Sequence, residues 1–173
     1  MNWPAVRIVT DSSCDLPAPI ADALGITIIP LSIRFGDEEF IDREELSTEE
    51  FWSKCVTSAK LPETAAPAPG QFEQAYRRLA SEGATGIVVV SLSSALSATM
   101  QSAQLAARSI EEDPAIELDV RVLDSRTISM GIGTIDRAAS WALCIVADSA
   151  LDRDTTTMPV APSDARRRYA CSN

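Results

Sequence analysis

Apolar positions along the chain fall into short runs separated by polar punctuation. "VRIVT" (6–10) is continuous rather than alternating, and it lies between Pro4 and the polar cluster DSSCD. A run of that kind suits a strand buried on both faces, as in a parallel sheet. "LPAPIADAL" then reads as a helix, with Asp15 as N-cap, Pro17 near the first turn and Gly25 as the stop. "ITIIPLSIRF" (26–35) is β-branched and predicts one or two strands broken at Pro30; "GDEEF" (36–40) predicts a turn and a short return strand.

The second half of the pattern is more regular. Ser47 or Thr48, followed by Glu49 and Glu50, opens a helix in the manner of a capping box. "KLPETAAPAPG" (60–70) reads as a proline-restricted loop. Residues 71–83 place Phe72, Ala75, Tyr76 and Leu79 on one helical face and stop at Gly83. "GIVVVSL" (86–92) predicts a buried strand, and 94–112 a helix with Leu96, Met100, Ala103 and Ala107 on its stripe. "IELDVRVLD" (116–124) alternates as a strand, and "TISMGIG" (127–133) starts another helix. Strand and helix thus alternate for about 130 residues, which predicts an α/β fold: a parallel sheet with helices on both faces. Ligands of such sheets bind beyond the carboxyl ends of the strands. The polar stretches there are 10–15, 91–97 and 124–127.

Composition narrows the function. The formal charge of −10 argues against nucleic acid and against anionic membrane surfaces as partners. The absence of histidine removes Ser-His-Asp and Cys-His triads and the commonest zinc ligand. Cys14, Cys55, Cys144 and Cys171 are scattered without a C-x-x-C pair, so no metal site is predicted, and idle thiols in a reducing cytoplasm are expected. The start of the chain does not read as a secretory signal, and no run is long enough for a membrane span. A cytoplasmic protein is expected.

What remains is a dense set of hydroxyls at the end of the best strand: Ser91, Ser93, Ser94, Ser97, Thr99 and Ser102. Three readings compete. The serines can cap the following helix. One can be a nucleophile, although only Lys54 and Lys60 are available as a base and G-x-S-x-G is absent. Or the turn can hold an anion, since a strand end feeding a helix start supplies unpaired N–H groups and a partial positive charge. Thr64, in the proline-rich loop, is a candidate for the second side of such a cradle, with Ile33, Phe35, Leu96 and Met100 either lining a pocket for an attached chain or packing as ordinary core.

Five stretches resemble the DegV family in order and spacing: "VTDSSCDLP" (9–17), "GITIIPLSIRFGDEEFID" (25–42), "LPETAAPAPGQF" (61–72), "SLSSALSATMQSA" (91–103) and "VLDSRTISMGIG" (122–133). The resemblance implies a two-domain α/β protein that binds a long-chain fatty acid and presents its carboxylate to a fatty acid kinase. Catalysis would belong to that partner, so no catalytic residue and no cofactor are expected here. The family's carboxylate-binding threonine falls on Thr64, and its serines fall on Ser93, Ser94 and Ser97. The next two positions of the threonine loop are Ala65 and Ala66 where the family has serine and glutamine, and Ala98 stands in place of a glycine. Asp11 and Ser12 fall on loop-organising positions. The alternatives are a metal-assisted phosphoryl or acyl transferase using Asp11 or Asp124, and a remnant without ligand.

The resemblance ends near Gly133. It divides the chain into a DegV-type lipid-binding domain, 1–133, and an atypical extension, 134–173, in which little order is expected from about Leu151. The family continues into a second domain that closes over the acyl chain and brings an arginine and a histidine to the ligand. A shortened gene or a shifted reading frame would account for the difference, and the excess of arginine over lysine, 13 to 2, suits the GC-rich gene in which shifted frames stay open. A sixteen- to eighteen-carbon chain offers about 400 Å² of apolar surface, worth about 10 kcal/mol when wholly buried. Half a pocket is therefore expected to bind weakly.

Overall fold

The computed structural model describes residues 5–58 and 60–151. Four strands form a parallel sheet in the order β2-β1-β6-β7: β1 (Val6–Asp11), β2 (Thr27–Ile29), β6 (Gly86–Ser91) and β7 (Asp119–Asp124). β1 and β6 are the central pair, which is why their sequences are continuously apolar. The period-two geometry of a strand sends alternate side chains to opposite faces. Val9, Ile87 and Val89 meet Phe72, Ala75, Tyr76 and Leu79 of α3 (Pro69–Ser81) and Ala103, Ala106 and Ile110 of α4 (Thr99–Glu111). Ile8, Val88, Val90 and Leu92 meet Ala21 and Leu24 of α1 (Ala18–Leu24) and Ile132, Ala139 and Leu143 of α5 (Met130–Leu151). The expected parallel sheet with helices on both faces is what the chain forms.

A second, antiparallel sheet of order β4-β3-β5 stands apart from the first: β3 (Ser32–Phe35), β4 (Glu38–Ile41) and β5 (Glu63–Ala65). Pro30 separates β2 from β3 and sends them to different sheets. β5 lies inside the stretch expected to be loop. Three residues between Pro62 and Pro67 pair with the free edge of β3, and Arg34 meets Glu63 across the pair. Ile33 and Phe35 pack with Leu46 beneath Phe51 and Cys55 of α2 (Thr48–Thr57), whose start is the expected capping box at Ser47 and Glu50.

Two polar ties hold the small sheet to the carboxyl end of β1. Ser12 Oγ accepts the Leu31 N–H at 3.0 Å. The Arg43 guanidinium donates to the carbonyls of Ser12 and Leu16, both at 2.6 Å. Asp15 departs from the expectation. It ends a 3-10 turn over Ser12–Cys14 with a positive φ, and α1 starts instead at Pro17, whose carbonyl accepts from Ile20 and Ala21. Residues beyond Leu151, and the expectation of little order there, lie outside the described residues. Among the described residues, no helix is long and apolar enough to cross a membrane.

Candidate functional site

β6 ends at Ser91 and α4 begins only at Thr99, so Ser94 to Ala98 form a turn rather than the first turn of the helix. This moves Leu96 off the expected apolar stripe: it is 63% exposed, and Thr99, Ala103, Ala106 and Ile110 are the buried positions instead. The turn is pinned from three sides. Leu92 N–H donates to Asp11 Oδ2 at 2.8 Å, joining it to β1. Ser93 N–H donates to the Thr127 carbonyl at 3.1 Å. Ser94 donates its N–H and its hydroxyl to the two oxygens of Asp124, at 3.2 and 2.5 Å, joining the turn to the end of β7. The Ser94 hydroxyl and the Arg126 N–H hold the Asp124 carboxyl below the usual aspartate range.

The four hydroxyls on which the family's ligand-binding positions fall have different fates. Ser97 Oγ lies 2.8 Å from Thr99 Oγ1 and accepts the Thr99 N–H at 3.3 Å, so it works as a helix-start residue. Ser94 is committed to Asp124. Ser93 is buried, yet its hydroxyl makes no hydrogen bond among the described residues, and its carbonyl accepts from Leu96 and Ser97. Thr64 is exposed on β5 and its hydroxyl is likewise without a partner among the described residues. It pairs in register with Ile33, which puts it on the face that carries Ile33 and Phe40. The structure thus gathers Ser93, Ser94 and Ser97 in one turn. Thr64 lies on the other sheet, with no hydrogen bond to that turn.

The start of α4 adds donors that the sequence did not single out. No acceptor among the described residues takes the N–H groups of Met100 and Gln101, whereas Ser102 N–H already reaches the Ala98 carbonyl at 3.1 Å. These are the orphan donors of a helix start, and they carry its partial positive charge. Ala98 adopts φ −80°, ψ 5°, a conformation open to any residue, so its backbone does not need the family's glycine. Asp11 and Asp124 are both occupied with backbone N–H and serine hydroxyl groups, which makes them ties of the scaffold. Among the described residues, no group of three or more acids and cysteines is placed to hold a metal ion. Ile33 and Phe35 are core of the small sheet, 6% and 7% exposed. A cleft of about 480 Å³ between α4 and β7 mixes charged side chains, among them Arg108, Glu111 and Arg121, with the apolar Leu118, Val120 and Val122.

A family model described as "Uncharacterised protein, DegV family" matches residues 5–143. The chain belongs to the DegV family. Its likeness to a DegV domain-containing protein of Streptomyces coelicolor is 38% identity over 135 residues, 78% of this chain and 46% of the relative. To one of Clostridium perfringens it is 34% over 130 residues, 75% of this chain and 44% of the relative. Among solved structures, a fatty-acid-binding DegV protein from Thermus thermophilus superposes with a TM-score of 0.71 at 32% identity, over 81% of this chain and 48% of that one. A DegV lipid-binding protein from Thermotoga maritima superposes with the same score at 28% identity. The chain therefore spans a little under half the length of these DegV relatives.

Proposed function

We propose that this chain is the carboxylate-holding part of a DegV-type fatty-acid-binding protein, and that it acts without catalysing a reaction. A long-chain fatty acid would lay its carboxylate against the start of α4. The open N–H groups of Met100 and Gln101 and the unengaged Ser93 hydroxyl would receive it, with Ser97 at the rim and Thr64 closing from the small sheet. Ser94 would act through Asp124, fixing the turn. The observation that carries this reading is the set of open donors at the β6–α4 turn, in a family where the Thermus thermophilus relative binds fatty acid. An acyl carboxylate held at a surface turn is accessible to a second protein, which supports presentation to a fatty acid kinase. The division at Gly133 belongs to the same proposal, although α5 runs through that point without a break.

Native mass spectrometry of the full chain, incubated with excess oleate, tests it. An adduct of one fatty acid is expected in the native sequence, and a loss of about a hundredfold or more in retention in the Thr64→Val, Ser93→Ala double variant, as for two charged hydrogen bonds of roughly 1.5–3 kcal/mol each. Equal retention by the variant would overturn the site. Acyl phosphate formed on adding a fatty acid kinase and ATP is the expected sign of presentation, and its absence with a loaded chain would contradict that step.

A further inference from the structure

Asp136 is fully buried on α5, and neither of its carboxylate oxygens has a hydrogen-bond partner among the described residues. It sits one turn beyond Ile132 and Gly133, both of which are buried. A Cβ on Gly133 would come within 2.6 Å of the Cys14 carbonyl. α5 packs there against β1, β6, α1 and the Ser12–Cys14 turn.

None of these elements brings a cation to the carboxyl. From β1 come the Thr10 hydroxyl and the carboxylate of Asp11, itself 1% exposed. Thr10 donates its only proton to the Val90 carbonyl at 2.9 Å, so its oxygen can accept from a protonated Asp136 but has no proton left for an ionised one. Arg7 of β1 pairs with Glu82. The Ser12–Cys14 turn offers Cys14, whose thiol burial pushes up to about 11, so it stays neutral. β6 carries no titratable residue, Asp22 of α1 is exposed, and Arg137 of α5 is exposed. The Arg43 guanidinium is spent on the carbonyls of Ser12 and Leu16. A buried carboxylate with no donor and a second acid nearby is strongly disfavoured in its charged form.

We propose that α5 is a pH-sensitive latch, docked while the Asp136 carboxyl carries a proton and loosened from β1 and the Ser12–Cys14 turn when that proton leaves. Burial first, and then the Asp11 charge, raise this carboxyl to about 7, against an ordinary 3.8. The docked state holds the proton that the undocked state has released. Docking is therefore strongest below about pH 4, weakens as pH rises toward 7, and is level above that. Arg126 and Ser129 hold positive φ of 52° and 60°, and Thr127 between them anchors the Ser93 N–H.

Hydrogen exchange of the full chain from about pH 5 to about pH 8, corrected for the intrinsic rate, tests the latch, with α3 as internal reference. Protection of residues 132–143 relative to α3 should fall by up to about tenfold per pH unit and flatten above 7. In Asp136→Leu it should be pH-independent and higher. A flat profile in the native chain, or the same slope in the variant, would overturn the proposal. The ¹³C carboxyl resonance of Asp136 in the native chain decides the matter even if the variant fails to fold. A midpoint near 7 is expected, and one in the ordinary aspartate range would refute the latch.

Discussion

Ser94 and Asp124 come from different strands and complete each other: the serine gives both its protons to the acid, and the acid also takes the Arg126 N–H. These donors favour the charged carboxylate, so its folded-state titration lies below the ordinary 3.8. A depressed acid contributes its stabilisation above the unfolded value and loses it as pH falls through the folded one. The Ser94 and Arg126 amide resonances should therefore be steady at neutral pH and shift only below about pH 4, and a midpoint above that would show the tie is not formed in solution. Asp124→Asn keeps the shape but removes the charge, and weaker ligand retention is expected with no loss of the fold. At this scale the sequence was partly legible. The hydroxyls were visible as a cluster, but not which of them the protein spends on itself. That depends on Asp124, thirty positions away, and on where α4 starts.

The elements were easier to read. α3 and β6 follow from periodicity alone, because Phe72, Ala75, Tyr76 and Leu79 recur at helical spacing and 86–91 is unbroken. Leu79 is fully buried between α3 and the sheet, and Leu79→Ala should cost about 3 kcal/mol, read by chemical denaturation with an unchanged m-value. Gly133→Ala should cost about 1–3 kcal/mol, since the added carbon meets backbone it cannot displace; an unchanged midpoint would show that α5 is not docked as described. What periodicity could not show was β5. A three-residue strand has too few positions for a pattern, and it exists because the edge of β3 was open. Nor did the sequence pattern single out Asp136, whose burial depends on how α5 packs against β1 and β6.

For the molecule as a whole, the parallel sheet sets its strand ends on one side, and the small sheet is tied to that side through Ser12 and Arg43. The fold class was legible because continuous apolar strands alternating with amphipathic helices have few other solutions. The partnership between the two sheets was not, since it rests on two side chains reaching backbone carbonyls and an amide far along the chain. The account requires that the acid group, rather than the hydrocarbon, be what the β6–α4 turn recognises. The most direct measurement compares the affinity of the full chain for a long-chain fatty acid and for the fatty alcohol of equal length at neutral pH. The acid should bind roughly ten- to a hundredfold more tightly; equal affinity would mean that the donors of that turn hold no carboxylate.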